Sequence, residues 1–154
     1  MIKINVITNN ILWKKTLKNP QDYFDNKLRL INKNNKLFKK KKIICSLLLS
    51  DTKEIKRLNK KFRKKNKSTD VLSFPFYEKK ELNKKIRKEK EIYIGDIIIN
   101  FDKLCSQKKS NNFKRNLNTL WIHGLMHLFG YKHKILKDFK EMSQQEKMYL
   151  KYLD

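Results

Sequence analysis

Residues 43–49, Ile-Ile-Cys-Ser-Leu-Leu-Leu, are the longest nearly unbroken apolar stretch of the chain, and they constrain its fold more than any other segment. The run is far shorter than the ~20 residues that cross a bilayer, and it has the length of a strand buried on both faces. It therefore predicts a central strand in a sheet covered by helices.

The flanking segments supply neighbours for that strand. Residues 3–8 alternate polar and apolar side chains and read as a first strand. Asn19 and Pro20 form a cap and first-turn pair with Asp22 close behind, so a helix runs through Tyr23, Leu28 and Ile31 until the lysine run 39–42 ends it. Asp51 followed by Glu54 resembles a capping box, and Ile55, Leu58 and Phe62 give the next helix one apolar face. Residues 71–77, VLSFPFY, read as a strand that Pro75 confines to an edge or a bulge. Residues 78–91 are low-complexity Lys and Glu with only Leu82 and Ile86 apolar, which predicts a mobile connection or a hairpin tip. Residues 92–100 read as a fourth strand. Leu117, Leu120, Trp121, Leu125 and Leu128 have helical spacing over 113–129, with Gly130 as the stop, and an amphipathic helix starts near Asp138 carrying Phe139, Met142, Tyr149 and Leu153. No repeat or shift of composition divides the chain. The expectation is one α/β (α+β) domain over 1–154, built on a four-stranded mixed sheet packed with helices.

Charge narrows the partners. Lys and Arg total 39 against 15 acids, a formal charge of +24 at which a polyanion is attracted even without a specific site. The cations are 34 Lys and only five Arg, Asn is abundant and Ala is absent, a profile of A+T-rich coding that accounts for part of the excess. Nine basic residues and one acid lie between Lys53 and Lys67, a density that suits a phosphate backbone and a solvated helix face equally. The first ten residues lack the pattern of a secretory signal, and Cys45 and Cys105 form neither a CxxC pair nor a disulfide framework. A cytoplasmic protein with no membrane association is expected, its two thiols in the core or incidental.

All three histidines fall in the segment HGLMHLFGYKH, at His123, His127 and His133. Positions four apart share a helix face, so His123 and His127 aim at one point, and Gly130 lets the chain turn back to bring His133 there. Three neutral imidazoles with an open fourth position make a catalytic zinc site, where bound water is acidified to a pKa of about 7. Three histidines scattered at random over this length take these offsets roughly once in four thousand placements, which favours a metal centre over incidental helix-face histidines. Zinc is the default, although nickel, copper or iron also accept imidazole. The spacing is also that of the metzincin proteases, whose glutamate base is replaced here by Gly124. Glycine moves no proton, so peptide hydrolysis by that route lacks its base.

Three blocks, STDVLSFPF at 68–76, GDIII at 95–99 and HGLMHLFGYKH at 123–133, make the chain resemble the YbeY family of bacterial rRNA-maturation endoribonucleases from about residue 43 onward. The resemblance implies a zinc-dependent, single-strand-specific endoribonuclease that matures the 3′ end of small-subunit (16S) rRNA and serves ribosome quality control. It also implies one Zn2+ per chain, held by His123, His127 and His133, and a functional arginine at Arg63. A guanidinium there suits a phosphodiester, because its fork of donors binds two phosphate oxygens. Lys60, Lys61, Lys64 and Lys65 around Arg63 are candidate RNA contacts, with the small ribosomal subunit and its assembly factors as partners. The family usually has Asp before its last histidine, where this chain has Lys132. Lys132 either adds positive charge beside the metal or contacts RNA. The general base is then unassigned; Asp70 and Asp96 are candidates, but each reads first as a structural residue, a turn or cap at Asp70 and a strand end at Asp96. Two rival readings stand beside this one: a non-catalytic rRNA-binding assembly factor with a structural zinc, and a zinc metallopeptidase.

Overall fold

Four strands build one sheet in the computed structural model, which describes residues 1–35, 38, 40–106 and 112–153. The strands are β1 (Ile2–Thr8), β2 (Lys42–Ser50), β3 (Val71–Pro75) and β4 (Glu91–Asn100), in the order β1-β2-β4-β3. β2 pairs in parallel with both β1 and β4, while β3 is antiparallel to β4 at the edge. The expected central strand is thus β2, and the mixed sheet is as expected. Pro75, which has no N–H for a ladder, sits on the edge strand where a missing donor is tolerated.

Seven helices join these strands among the described residues: α1 (Ile11–Leu17), α2 (Pro20–Asn34), α3 (Thr52–Arg63), α4 (Lys79–Lys88), α5 (Phe101–Ser106), α6 (Phe113–Leu128) and α7 (Leu136–Lys151). Asn19 caps α2 by accepting from the Asp22 N–H, with Pro20 in the first turn. Asp51 caps α3 by accepting from the Glu54 N–H at 3.0 Å, but the Glu54 carboxylate takes both donors of Arg57 instead of completing the box. None of the helices is long and apolar enough to cross a membrane.

Two faces of the sheet are treated differently. One is covered by α2 and α6, with α7 packed on α6, and Phe24 and Trp121, edge to face at 5.8 Å, share its core with Cys45, Leu47 and Ile97. The other carries a small cluster of Ile55 from α3 with Leu72 and Ile98. Adjacent strand residues point to opposite faces, so Ile97 meets α6 and Ile98 meets α3. Gly95 interrupts that alternation. Its φ is +133°, and a Cβ there would lie 2.2 Å from the Phe74 carbonyl oxygen. Pairing with β2 shifts register between Ile44 and Ser46, the mark of a bulge, and the bulge turns Tyr93 and Asp96 to the same side.

Three expectations need correction. Residues 78–91 contain the helix α4 and are no mobile connection or hairpin tip. Leu82 is fully buried and Ile86, one turn on, packs against the core, so two apolar residues at the right spacing anchor a helix in a polar segment. Phe62 lies on the expected apolar face of α3, against Phe74 at 5.4 Å, although it is 58% exposed. Asp96 is in the middle of β4, not at a strand end. α2 ends at Asn34, before the lysine run, of which Lys39 lies outside the described residues. α1 and α5 had no periodic signal because each is under eight residues. Trp13 nevertheless makes α1 part of the core, donating its indole N–H to the Ser50 carbonyl at 2.9 Å.

Gly95→Ala combines a disfavoured φ with a backbone clash and lowers stability by about 2–4 kcal/mol. Urea unfolding checks this: the midpoint falls while the m-value is unchanged.

Candidate metal centre

α6 sets the first two histidines by its pitch. His123 and His127 lie one turn apart on one face, both half-buried. Between them Gly124 faces the sheet, where a Cβ would come within 2.7 Å of Ile97 Cγ2 and 3.1 Å of Ser73 Oγ. The helix ends at Leu128, and Gly130, at φ +82°, turns the chain back. A Cβ at Gly130 would press within 2.7 Å of Lys79 Cβ, so the turn rests directly on the first residue of α4. The returning loop carries His133, which is exposed. Its ring centroid is 5.6 Å from that of His123 and 5.0 Å from that of His127.

One nitrogen from each ring falls within 4.8 Å of the others, a cluster that can hold a metal ion. The tautomers are fixed from outside. His123 Nδ1 donates to Glu146 Oε1 at 2.7 Å, and His127 Nδ1 donates to the Tyr131 carbonyl at 3.0 Å. Both Nε2 atoms therefore present lone pairs inward, 3.1 Å apart. Two facing lone pairs repel unless a proton or a cation lies between them. Burial, then the neighbouring charge of His123, with smaller contributions from His133 and Arg63, pushes His127 down to about 4. At neutral pH His127 is therefore neutral and its Nε2 lone pair is available, so the donor set fits a cation that accepts imidazole.

Arg63, the last residue of α3, reaches the edge strand, donating to the Ser73 carbonyl with its guanidinium 5.5 Å from the Phe74 ring centroid. Ser73, whose carbonyl Arg63 holds, turns its hydroxyl toward Gly124 of α6, between the first two histidines in sequence. Lys60, Lys61, Lys64 and Lys65 are all exposed around Arg63. Lys132 turns away from the histidines, its Nζ paired with Glu78 Oε2 at 2.9 Å just before α4. Asp70 accepts from the Val71 N–H and the Thr69 hydroxyl, so it shapes the entry into β3. Asp96 lies on the α3 face, away from α6, and accepts from the Tyr93 hydroxyl at 2.6 Å.

Glu146 and the Tyr131 carbonyl escaped sequence reasoning. The carbonyl has no sequence signal. Glu146 has one, because it stands between Met142 and Tyr149 in the buried stripe of α7, where an acid needs a partner.

Glu146→Gln removes an acceptor from His123 and weakens metal affinity roughly 10- to 100-fold, as titration with divalent metal ions by calorimetry measures. The metal-free protein also loses stability as pH falls. His127 takes a proton at its ordinary 6.5 when unfolded but only near 4 when folded, so acid favours the unfolded state across that window. His127→Asn flattens that part of the stability profile in urea unfolding at a series of pH values.

The family described as Endoribonuclease YbeY matches residues 7–154 of this chain. An Endoribonuclease YbeY of Pelagibacter ubique (strain HTCC1062) is 42% identical over 155 residues, covering 99% of this chain and 97% of that protein. An Endoribonuclease YbeY of Streptococcus pyogenes serotype M5 (strain Manfredo) is 39% identical over 56 residues, covering 35% of this chain and 34% of its own length. Among solved structures, a Thermotoga maritima protein determined in solution superposes with a TM-score of 0.57 at 28% identity, covering 99% of this chain and 89% of that one. A match over nearly the whole length makes the chain a member of the YbeY endoribonuclease family.

Proposed function

We propose that the protein is a zinc-dependent endoribonuclease that cuts single-stranded RNA, acting in the cytoplasm on the 3′ end of small-subunit rRNA and in ribosome quality control. The carrying observation is the convergence of His123, His127 and His133 on one point, with Arg63 held on the neighbouring edge strand. Zinc, when bound, supplies Lewis-acid polarisation and acidified water. The chain's own residues do the rest. His123, His127 and His133 offer the lone pairs, and Glu146 and the Tyr131 carbonyl hold two of the rings in the required tautomer. Arg63 is suited to bind two oxygens of the scissile phosphate and to stabilise charge growing there. The exposed Lys60, Lys61, Lys64 and Lys65 draw in the flanking phosphates. Lys132, already paired with Glu78, is the weaker candidate for such a contact. The small ribosomal subunit and its assembly factors are the proposed partners, since they present this RNA.

The rival readings fit less well. The cluster has three ligands among the described residues and an exposed third member, which suits an open catalytic site better than a closed structural one. The position of a metzincin glutamate is Gly124, packed against Ile97 and Ser73, so a side chain there would run into the sheet.

Cleavage of an end-labelled single-stranded RNA beside its duplex tests the proposal. The single strand alone is cut. A chelator or His127→Ala abolishes cutting, and Arg63→Ala lowers kcat roughly 100- to 1,000-fold. Equal cleavage by parent and a folded His127→Ala protein would overturn it.

A further inference from the structure

The sheet face opposite α6 is only half covered. Beyond the Ile55, Leu72 and Ile98 cluster it opens into a groove of about 370 Å³ between α3 and the strands, lined by Ser46, Leu48, Phe62, Phe74 and Asp96 among others. Scattered exposed apolar residues need no explanation. Here, however, aromatic rings stand in contacting pairs along one face. Phe62 meets Phe74 edge to face at 5.4 Å, and Phe76, 66% exposed, meets Tyr93 at 6.3 Å. Asp96 links the pairs, lying opposite Phe74 in the ladder and accepting from the Tyr93 hydroxyl. Cations are interleaved with the rings: Lys61 Nζ lies 5.3 Å from the Phe62 centroid, and Arg63 lies over Phe74.

We propose that this half-open face is a base-stacking platform on which unpaired nucleotides of the RNA substrate lie, leading to the metal centre through Arg63. The inference rests on the endoribonuclease reading and adds how the substrate is chosen. Rings offer flat faces that any base can stack on, but only when the base is unpaired, because a duplex hides its base faces. The charge pattern sets the direction. Phosphates follow the cations of α3, and the Asp96 carboxylate repels them, so the bases turn inward over Phe62 and Phe76. A bare apolar partner would leave Lys61, Arg63 and Asp96 desolvated at its border, whereas a nucleic acid strand matches both the rings and the charges.

The test is binding of a short fluorescent single-stranded 2′-deoxy oligonucleotide to the zinc-loaded full chain, read by anisotropy over a salt series, with the RNA cleavage assay in parallel. Phe62→Ala and Phe76→Ala each weaken binding roughly 5- to 100-fold, with the dependence of log Kd on log salt unchanged because no phosphate contact is lost. Phe76→Tyr restores binding, since the ring face remains. Lys60→Ala instead lowers the salt slope by about 0.7. Parent-like binding by both alanine variants overturns the platform, whatever the cleavage assay reads. So does intact strand binding combined with lost capture of purified small ribosomal subunits, which assigns the face to a protein. If the rings control binding while the parent cuts no RNA, the platform stands and the nuclease reading alone fails. Phe62 and Phe76 are both more than half exposed, and matching thermal melts separate a binding loss from misfolding.

Discussion

The close seat of α6 on the sheet is the contact on which the histidine cluster depends. Gly124 gives up a side chain so that the helix can approach Ile97 and Ser73. With that face against the strands, the pitch of the helix turns His123 and His127 together toward α7 and the returning loop. Gly130 continues the same logic at the helix end, where a left-handed turn lies against Lys79 and directs His133 back. Neither glycine touches the metal position, yet each sets how near the ligands come. Two absent methyl groups thus do what no hydrogen bond in the site does, because packing against a sheet tolerates displacements of only tenths of an ångström.

How much was legible follows from what each signal is made of. β2 and β4 declared themselves because their core-facing sides are apolar along nearly the whole strand, and the caps at Asn19 and Asp51 because their chemistry is local. The histidines were legible by number and offset, which helix geometry converts directly into a shared point. α4 was not, because its amphipathicity rests on Leu82 and Ile86 alone within a lysine-rich background. Glu146 was visible only as an acid in an apolar stripe, and its partner His123 is 23 residues away, a pairing that tertiary packing alone creates. Arg63 could not be told from Arg57 by composition. The fold separates them: Arg57 is engaged by Glu54 on the exposed side of α3, and Arg63 reaches the edge strand beside the cluster.

The charge beside the site is more selective than a net of +24 suggests. Lys132, adjacent to His133 in sequence, has its charge met by Glu78, and Lys79 lies over Tyr131 while pairing with Glu141. Lys132 of the loop that brings the third histidine and Lys79 beneath it are therefore both engaged on the α4 side. Exposed pairs of this kind contribute little stability. Their effect is on the field: positive charge next to the imidazoles is reduced where it would repel a metal ion, and Arg63 remains as the cation whose charge is felt at His127.

The edge strand β3 joins the two sides of the molecule, and its alternation explains why one short segment, Ser73 to Phe76, bears on both. Ser73 faces α6, and its carbonyl holds Arg63. Phe74 faces the groove and lies under the same guanidinium. A strand inside the sheet could not do this, because its ladder partners would cover both edges. At an edge, and only there, a side chain from α3 can pass around the sheet and stand between the histidines on one face and the aromatic rings on the other. Pro75 secures that position by its missing N–H, which discourages a further strand from pairing there and keeps the route around the edge open.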